Sequence, residues 1–314
     1  MNTNAPLNHK KDTLLYELSD YGILQATGKD TVTFFQGQLT NDVTLINSTQ
    51  AQLTANCSPK GRMLASMRMF QQADAYYLLL PKALIAARLK KLSMYIMHAD
   101  VHLKDVSDEF ILFGLTGTKL DTLSSETLPD KAYDVLTQDN LSIICIEQGR
   151  YLYFSNHIER MKTLWETLQP QAQVVDNQAW RLSEIRAGVP TILPQTEEAF
   201  VPQMANLGLL GGISFTKGCY TGQEIVARMH YLGKLKKRMY HASIRASEPP
   251  QPGDKLYRSD AEQSVGEIVD IQSTGADQYE LLAVLQIAHI EKTLHWQSTQ
   301  GPELALLTLP YAFE

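Results

Sequence analysis

The feature that most constrains the fold is residues 211–224, which read GGISFTKGCYTGQE. Its last four residues, Thr221 to Glu224, have the T-x-x-E form of a capping box. In a capping box the hydroxyl and the carboxylate satisfy free backbone donors at the start of a helix. Apolar residues continue on one helical face through 225–229. The pattern predicts a helix with Thr221 as its N-cap, and a loop that carries Cys219 two residues earlier.

Two interpretations of Cys219 are open. A helix N-terminus and the ammonium of Lys217 both favour an anion, which predicts a reactive thiol biased toward thiolate. Alternatively, Cys219 is a small buried apolar side chain, as many free cysteines are. The two interpretations differ on whether the sulfur is exposed.

The whole chain limits the choice of function. Its 314 residues suit two or three domains, and its net charge of −6 argues against a general electrostatic attraction to nucleic acid. The N-terminus lacks an apolar signal segment, so we expect a cytoplasmic protein without a membrane partner. The three cysteines form no C-x-x-C pair and indicate neither a zinc site nor a disulfide framework. They are also too few to hold a conventional iron–sulfur cluster alone.

The order of segments favours an α+β fold. Residues 16–27 read as a strand region, and residues 52–56 and 63–70 read as strands joined by a Pro-Gly turn. Residues 101–170 alternate strands with helices at 120–128 and 158–168, which is typical of a split βαβ subdomain. Short strands at 240–244, 264–271 and 279–285 favour a terminal β-barrel or sandwich.

Residues 217–224, KGCYTGQE, resemble the motif of the YgfZ family, folate-binding proteins related to the glycine cleavage T-protein. The resemblance extends through FFQGQLTND at 34–42, KGR at 60–62 and IRAGVP at 185–190. It implies a T-protein-like folate-binding core from residues 1–100 and 171–235. It also implies a ferredoxin-like α+β subdomain at 101–170 and a C-terminal antiparallel β-barrel at 236–314.

The resemblance implies a function as well. Tetrahydrofolate or a derivative is the implied ligand, and Cys219 with Lys217 the implied functional pair. The implied partners are iron–sulfur client or assembly proteins, including enzymes that modify tRNA, without direct contact to nucleic acid.

Folate contacts are assigned to Tyr21, Trp180, Gln223, Glu224 and Arg228. Close relatives link folate to Trp180 and to a tryptophan at the position of Tyr21, whose ring offers less stacking area. The alternatives are a core Trp180 and an ordinary strand aromatic at Tyr21. Arg228 and the cations that follow it could bind either the glutamate tail of a folate or the acidic face of a partner. Alternatively, they form a solvated edge on which lysines block unwanted strand pairing.

A second function is a folate-dependent one-carbon transferase, because the framework resembles the T-protein. The acidic pair that supports aminomethyl transfer in T-proteins is matched here by Ala65 and Ser66, which argues against that chemistry. A third function is a thiol redox protein that uses Cys219 without folate.

Overall fold

The computed structural model describes residues 12–124 and 126–313, which form two compact units. The first unit contains residues 12–54 and Met67–Trp180, and the second contains Ala55–Ser66 and residues 181–313. Residues 1–11, part of the N-terminal stretch that lacks an apolar signal segment, lie outside the described residues. Within them, every helix is too short or too polar to cross a lipid bilayer.

The helices and strands follow one another along the chain. The helices are α1 (Thr31–Gln36), α2 (Lys82–Ile96), α3 (Ile158–Leu168), α4 (Asn177–Arg186) and α5 (Gln223–Tyr231). The strands are β1 (Leu14–Glu17), β2 (Tyr21–Thr27), β3 (Gln52–Cys57), β4 (Met63–Gln72), β5 (Ala75–Pro81), β6 (His102–Asp105), β7 (Ile111–Thr116), β8 (Val135–Gln138), β9 (Leu141–Glu147), β10 (Arg150–Ser155), β11 (Gln173–Val175), β12 (Lys237–Arg245), β13 (Lys255–Arg258), β14 (Ala261–Gly275), β15 (Gln278–Gln286), β16 (Leu294–Trp296) and β17 (Leu304–Leu307).

One six-stranded sheet belongs entirely to the first unit. Its order is β11-β1-β7-β10-β9-β8, with β1 parallel to β11 and the other pairs antiparallel. Side chains alternate across its strands, and Met161, Leu164 and Leu168 of α3 pack with Phe113 and Tyr153 in one apolar cluster. The helix therefore covers one face of this sheet.

The predicted helix at 120–128 is wrong. Only Leu120–Thr122 forms a single 3₁₀ turn, and its N-cap, Lys119, offers no side-chain cap. The Thr122 hydroxyl donates instead to the Lys119 carbonyl. Hydroxyl residues of this kind bond to nearby backbone and so compete with a helix.

The strand region predicted at 16–27 contains two strands, β1 and β2, that belong to different sheets. A turn closed by the Tyr21 amide, which donates to the Leu18 carbonyl, separates β1 from β2. Strand β2 lies in a five-stranded sheet of order β3-β4-β5-β2-β6. Gly22 of β2 lets α2 pack closely, since a Cβ there would lie 2.2 Å from Cγ1 of Ile85.

A curled antiparallel half-barrel is the main sheet of the second unit. Its strand order is β16-β13-β14-β15-β12-β17, and a bridge between His295 and Glu303 links the ends of the curl. The three predicted strands at 240–244, 264–271 and 279–285 are confirmed as parts of β12, β14 and β15. The α+β class is confirmed too.

An ion-pair group fixes the end of α4 on the half-barrel. The Arg186 guanidinium donates to both oxygens of Glu280, at 2.9 and 2.7 Å, and His241 lies 3.2 Å from the same carboxylate. Burial alone would raise the pKa of Glu280, but the hydrogen bonds and charges of Arg186 and His241 outweigh it and lower that pKa to about 2. The group stabilises the fold above the ordinary carboxyl pKa, and this stabilisation is lost as pH falls toward 2.

Candidate functional site

The loop that carries Cys219 ends in a glycine cap. Helix α5 begins at Gln223, and its N-cap is Gly222 with φ of 85°, so the prediction of Thr221 as N-cap is wrong. A Cβ at Gly222 would lie 2.5 Å from the Ser58 carbonyl oxygen and 2.9 Å from Cα of Gly61. Only glycine has both the conformation and the space required here, and this close approach sets where the helix starts.

The turn between β3 and β4 packs against this loop. Gly61 has φ of 68°, and its amide donates to the Ser58 carbonyl at 2.8 Å. A Cβ at Gly61 would lie 2.7 Å from Cβ of Ile225 in α5. Two motifs distant in sequence, KGR and KGCYTGQE, therefore meet backbone to backbone. By contrast, a Cβ at Gly218 would meet no described atom within 4 Å.

All three cysteines of the chain lie within the described residues, and Cys219 is the exposed one. The other two are buried, and burial raises the pKa of Cys57 to about 12 and that of Cys145 to about 11. The interpretation of Cys219 as a buried apolar side chain is therefore wrong. The bias of its thiol toward thiolate stays a prediction.

Lys217 lies two residues before the thiol and is only 8% exposed. Its ammonium nitrogen sits 5.2 Å from the centre of the Tyr220 ring, where the negative face of the ring attracts a cation. Tyr220 is buried, and burial raises the pKa of its phenol. The phenol therefore stays neutral beside Lys217.

The segment that carries Cys219, residues 211–222, is called the cysteine loop below, and it also runs alongside α5. The Phe215 and His230 rings stack with centroids 3.7 Å apart, and the Tyr231 hydroxyl donates to the Phe215 carbonyl at 3.3 Å. At the other end of the helix, the side-chain Nε2 of Gln223 donates to the Gly218 carbonyl at 3.4 Å. The segment is thus attached at both ends of the helix.

The first unit contains a cavity of about 630 Å³ that Tyr21 lines. Such a volume is typical of small-molecule sites. Its aromatic lining is Tyr21, Phe110, Phe113 and Trp165, and its cations are Lys82 and Lys162. The ammonium of Lys82 pairs with Asp108 at 3.0 Å, while the exposed Lys162 makes no ion pair with a described residue.

Trp180 does not line this cavity and is fully buried. Its indole N–H donates to the Tyr21 hydroxyl at 3.2 Å. The Arg150 guanidinium lies 4.5 Å from the indole centre, and Tyr16 packs edge-on at 5.1 Å. In this arrangement Trp180 positions the phenol of Tyr21 from within the core.

The structure brings some of the predicted residues together. Cys219 and Lys217 share the second unit with Gln223, Glu224 and Arg228, of which Glu224 and Arg228 are exposed. Tyr21 and Trp180 share the first unit. In neither unit do three His, Cys, Asp or Glu side chains of described residues form a potential metal site.

Apart from Tyr21, sequence reasoning missed the aromatic and cationic residues of the cavity, including Phe113 of β7. Trp165 reads as an apolar residue of α3, and Lys82 and Lys162 as solvated helix cations. Phe110 follows β6 without any motif, yet its ring stacks on Phe154 at 4.5 Å. The available signal was three aromatic side chains and two cations spread over several segments, and such a pattern is too common to identify a site.

The positions matched to the acidic pair of T-proteins are both buried. Ala65 is 0% exposed, and the Ser66 hydroxyl accepts a hydrogen bond from the Ile192 amide at 3.1 Å. Neither side chain is an acid or a base that titrates near neutral pH.

Comparison with known proteins identifies the family. No protein-family model matches the chain. It is 36% identical over 244 residues to the tRNA-modifying protein YgfZ of Hamiltonella defensa subsp. Acyrthosiphon pisum, which covers 76% of this chain and 72% of the relative. It is 33% identical over 247 residues to the protein of that name from Yersinia pestis, covering 77% and 74% of the two chains.

A solved structure shows the same fold. The glycine cleavage system aminomethyltransferase T from Bartonella henselae superposes with a TM-score of 0.77 at 14% identity, covering 98% of this chain and 88% of that one. The likeness shows a T-protein fold. With the two relatives above, it leads to one conclusion: the chain belongs to the YgfZ family.

Proposed function

We propose that the protein is a tetrahydrofolate-binding accessory factor for the synthesis or repair of iron–sulfur clusters in client enzymes, including tRNA-modifying enzymes. The observation that carries this proposal is the exposed Cys219 in a loop that Gly222 shapes by its close contact with the turn at Ser58 and Gly61. A thiolate is a soft ligand that suits iron and reacts with sulfur. The name of the relatives, tRNA-modifying protein, supports the link to tRNA.

The Tyr21 cavity fits a reduced folate in size and chemistry. Its aromatic walls suit the flat pterin and aminobenzoyl rings. Lys162, which shares the lining with Glu17 and Glu166, suits a carboxylate of the glutamate tail, whereas Lys82 already pairs with Asp108. Bound folate would supply one-carbon or redox chemistry. The residues of this chain hold it, with Tyr21 as a stacking surface and Trp180 as the residue that orients Tyr21. The folate contacts assigned to Gln223, Glu224 and Arg228 stay a prediction.

A cytoplasmic location and iron–sulfur proteins as partners complete the proposal. The alternative transferase function is disfavoured because Ala65 and Ser66 provide no carboxylate. Steady turnover of methylene-tetrahydrofolate with an amine donor would establish the transferase in place of the accessory factor.

The direct test measures iron–sulfur-dependent tRNA modification in cells. Deleting the gene lowers the modified tRNA fraction, and Cys219→Ala or Cys219→Ser reproduces the deletion. Thr216→Ala changes an exposed residue of the same loop and serves as the matched control. Unchanged modification in the deletion strain under oxidative stress contradicts the proposal.

Folate binding is tested separately by quenching of tryptophan fluorescence with folinic acid. The intact chain shows quenching, and Tyr21→Ala abolishes most of it. Absence of quenching in the intact chain removes folate from the proposal and leaves a thiol protein.

A further inference from the structure

The end of α5 and the loop after it expose apolar side chains among cations. Leu232 is 83% exposed and Tyr231 is 64% exposed. Arg228, Lys234 and Lys236 are exposed as well. These five residues are called the basic tip below.

The charge of this segment is opposite to that of the chain. Residues 225–241 contain five Lys and Arg residues and no Asp or Glu, in a chain of net charge −6. No cation of the basic tip makes an ion pair with another described residue. A local positive field therefore remains available to a partner.

Protection of a sheet edge does not explain these cations. Lys234 and Lys236 precede β12, which begins at Lys237. Strand β12 is also an inner strand, paired with β15 on one side and with β17 on the other. The two lysines are thus not needed to block strand pairing.

The apolar centre is held in place by the cysteine loop. His230 stacks on Phe215, and the Tyr231 hydroxyl bonds to the Phe215 carbonyl. This attachment reduces the conformational freedom that the exposed residues would otherwise lose on binding. Helix α5 also connects the two features, because Cys219 lies just before its first residue and the basic tip lies at its last turn and beyond.

An apolar centre with a charged rim is the usual composition of a protein interface, where Tyr and Arg contribute strongly. Leu232 has no flat face on which a base could stack, and the Tyr231 ring already packs against Phe215 and His230. Beyond the basic tip, the chain's net charge of −6 would repel a long polyanion. We propose that the basic tip docks an acidic surface of a partner protein, with Leu232 and Tyr231 in an apolar pocket of that partner. This inference rests on the proposed function, because the docked protein is the client or assembly protein that Cys219 serves.

A photocrosslinking experiment tests the surface. The full-length chain carries benzoylphenylalanine in place of Leu232, or in place of Met97, which is also 83% exposed but lies just after α2. Irradiation in living cells gives a protein adduct from position 232, and its crosslinked partner peptide is rich in Asp and Glu. Combining Lys234→Glu with Lys236→Glu lowers the adduct yield about tenfold, as loss of complementary charge predicts.

A matched charge reversal separates local from global charge. Lys29→Glu with Lys90→Glu changes the net charge equally at exposed sites elsewhere, and leaves the adduct yield unchanged. Protection of Cys57 and Cys145 from alkylation verifies that every variant is folded, and folinic acid quenching reports folate binding separately. Loss of quenching in the Lys234 and Lys236 variant assigns these cations to folate and overturns the docking proposal.

Three other outcomes overturn it as well: a nuclease-sensitive adduct, an adduct of two copies of this chain, or a yield no higher than at Met97. The deletion experiment keeps the two proposals apart. If deletion lowers tRNA modification but no acidic adduct forms, only the docking surface fails. If deletion has no effect, the proposed function fails whatever the crosslink shows.

Discussion

The cysteine loop and the Tyr21 cavity are built in opposite ways. The loop is nearly contiguous in sequence, and its shape comes from backbone contacts between Gly222 and the turn at Ser58 and Gly61. The cavity collects side chains from Glu17 to Gln169, and its shape comes from packed aromatic rings. The cysteine loop therefore depends on positions where only glycine fits, such as Gly222. The cavity depends instead on the packing of its side chains, which tolerates substitutions of similar size.

The same contrast applies to reactivity. The loop exposes one thiol, whereas the cavity contains no cysteine in its lining. We therefore expect covalent chemistry at the cysteine loop and reversible binding at the Tyr21 cavity. Four measurements test this division.

The largest expected effect is the selectivity of alkylation. At pH 8 a thiol with a pKa near 12 is thiolate in only about one molecule in ten thousand, and burial excludes the reagent as well. Iodoacetamide should therefore modify Cys219 at least about a thousandfold faster than Cys57 or Cys145. Mass spectrometry of the intact folded protein should show one adduct, and in urea three. Two adducts on the folded protein would contradict the assignment of Cys219 as the reactive thiol.

Gly222→Ala tests the backbone basis of the loop. The alanine Cβ would clash with backbone atoms at 2.5 and 2.9 Å and would occupy a left-handed conformation. We expect the free energy of unfolding to fall by roughly 2 to 4 kcal/mol. Urea denaturation measures it.

Gly218→Ala, in the same loop, is the control. Its Cβ meets no described atom within 4 Å, so the change should stay within about 0.5 kcal/mol. Equal effects of the two substitutions would show that close packing does not shape the loop.

Much of the fold was predictable because it depends on local patterns. The hairpin of β3 and β4, the strands β12, β14 and β15, and helix α3 all follow from hydrophobic period and turn residues. The strand region predicted at 16–27 did not reveal its division into β1 and β2, because Leu18 to Asp20 is a turn without Gly or Pro. The helix predicted at 120–128 failed because apolar spacing alone cannot outweigh its hydroxyl residues.

The same reasoning explains what was found of the site. Cys219 stands in a motif whose glycines and helix start are neighbours in sequence, so its loop was predictable. The N-cap was misplaced because contact with Ser58 and Gly61 sets it, and such contacts do not appear in local sequence. Phe110 and Trp165 were missed for the same reason, since only the fold brings them to one cavity.

Tyr21→Phe separates the ring of Tyr21 from its hydroxyl. The substitution keeps the stacking surface but removes the acceptor of the buried Trp180 indole N–H. We expect a loss of stability of about 1 to 2 kcal/mol. Folinic acid quenching should persist, because the ring remains. Urea denaturation and a quenching titration measure the two effects.

Tyr95→Phe, at a partly exposed tyrosine of α2, is the control. Lost quenching with unchanged stability would instead make the hydroxyl a ligand contact.

Lys162→Met should give the smallest effect. Lys162 is exposed at the rim of the cavity, so its attraction for a folate carboxylate is screened by water. Removing it should weaken folinic acid binding only about two- to fivefold, as a solvated ion pair predicts. The loss should shrink further in high salt.

Lys90→Met removes an equal charge from an exposed site outside the cavity lining, and it should leave the affinity unchanged. If both variants bind folinic acid as the intact chain does, the glutamate tail lies elsewhere. Folate would then depend on the second unit, where Arg228 is the predicted contact, and the division between a covalent and a binding region would no longer hold.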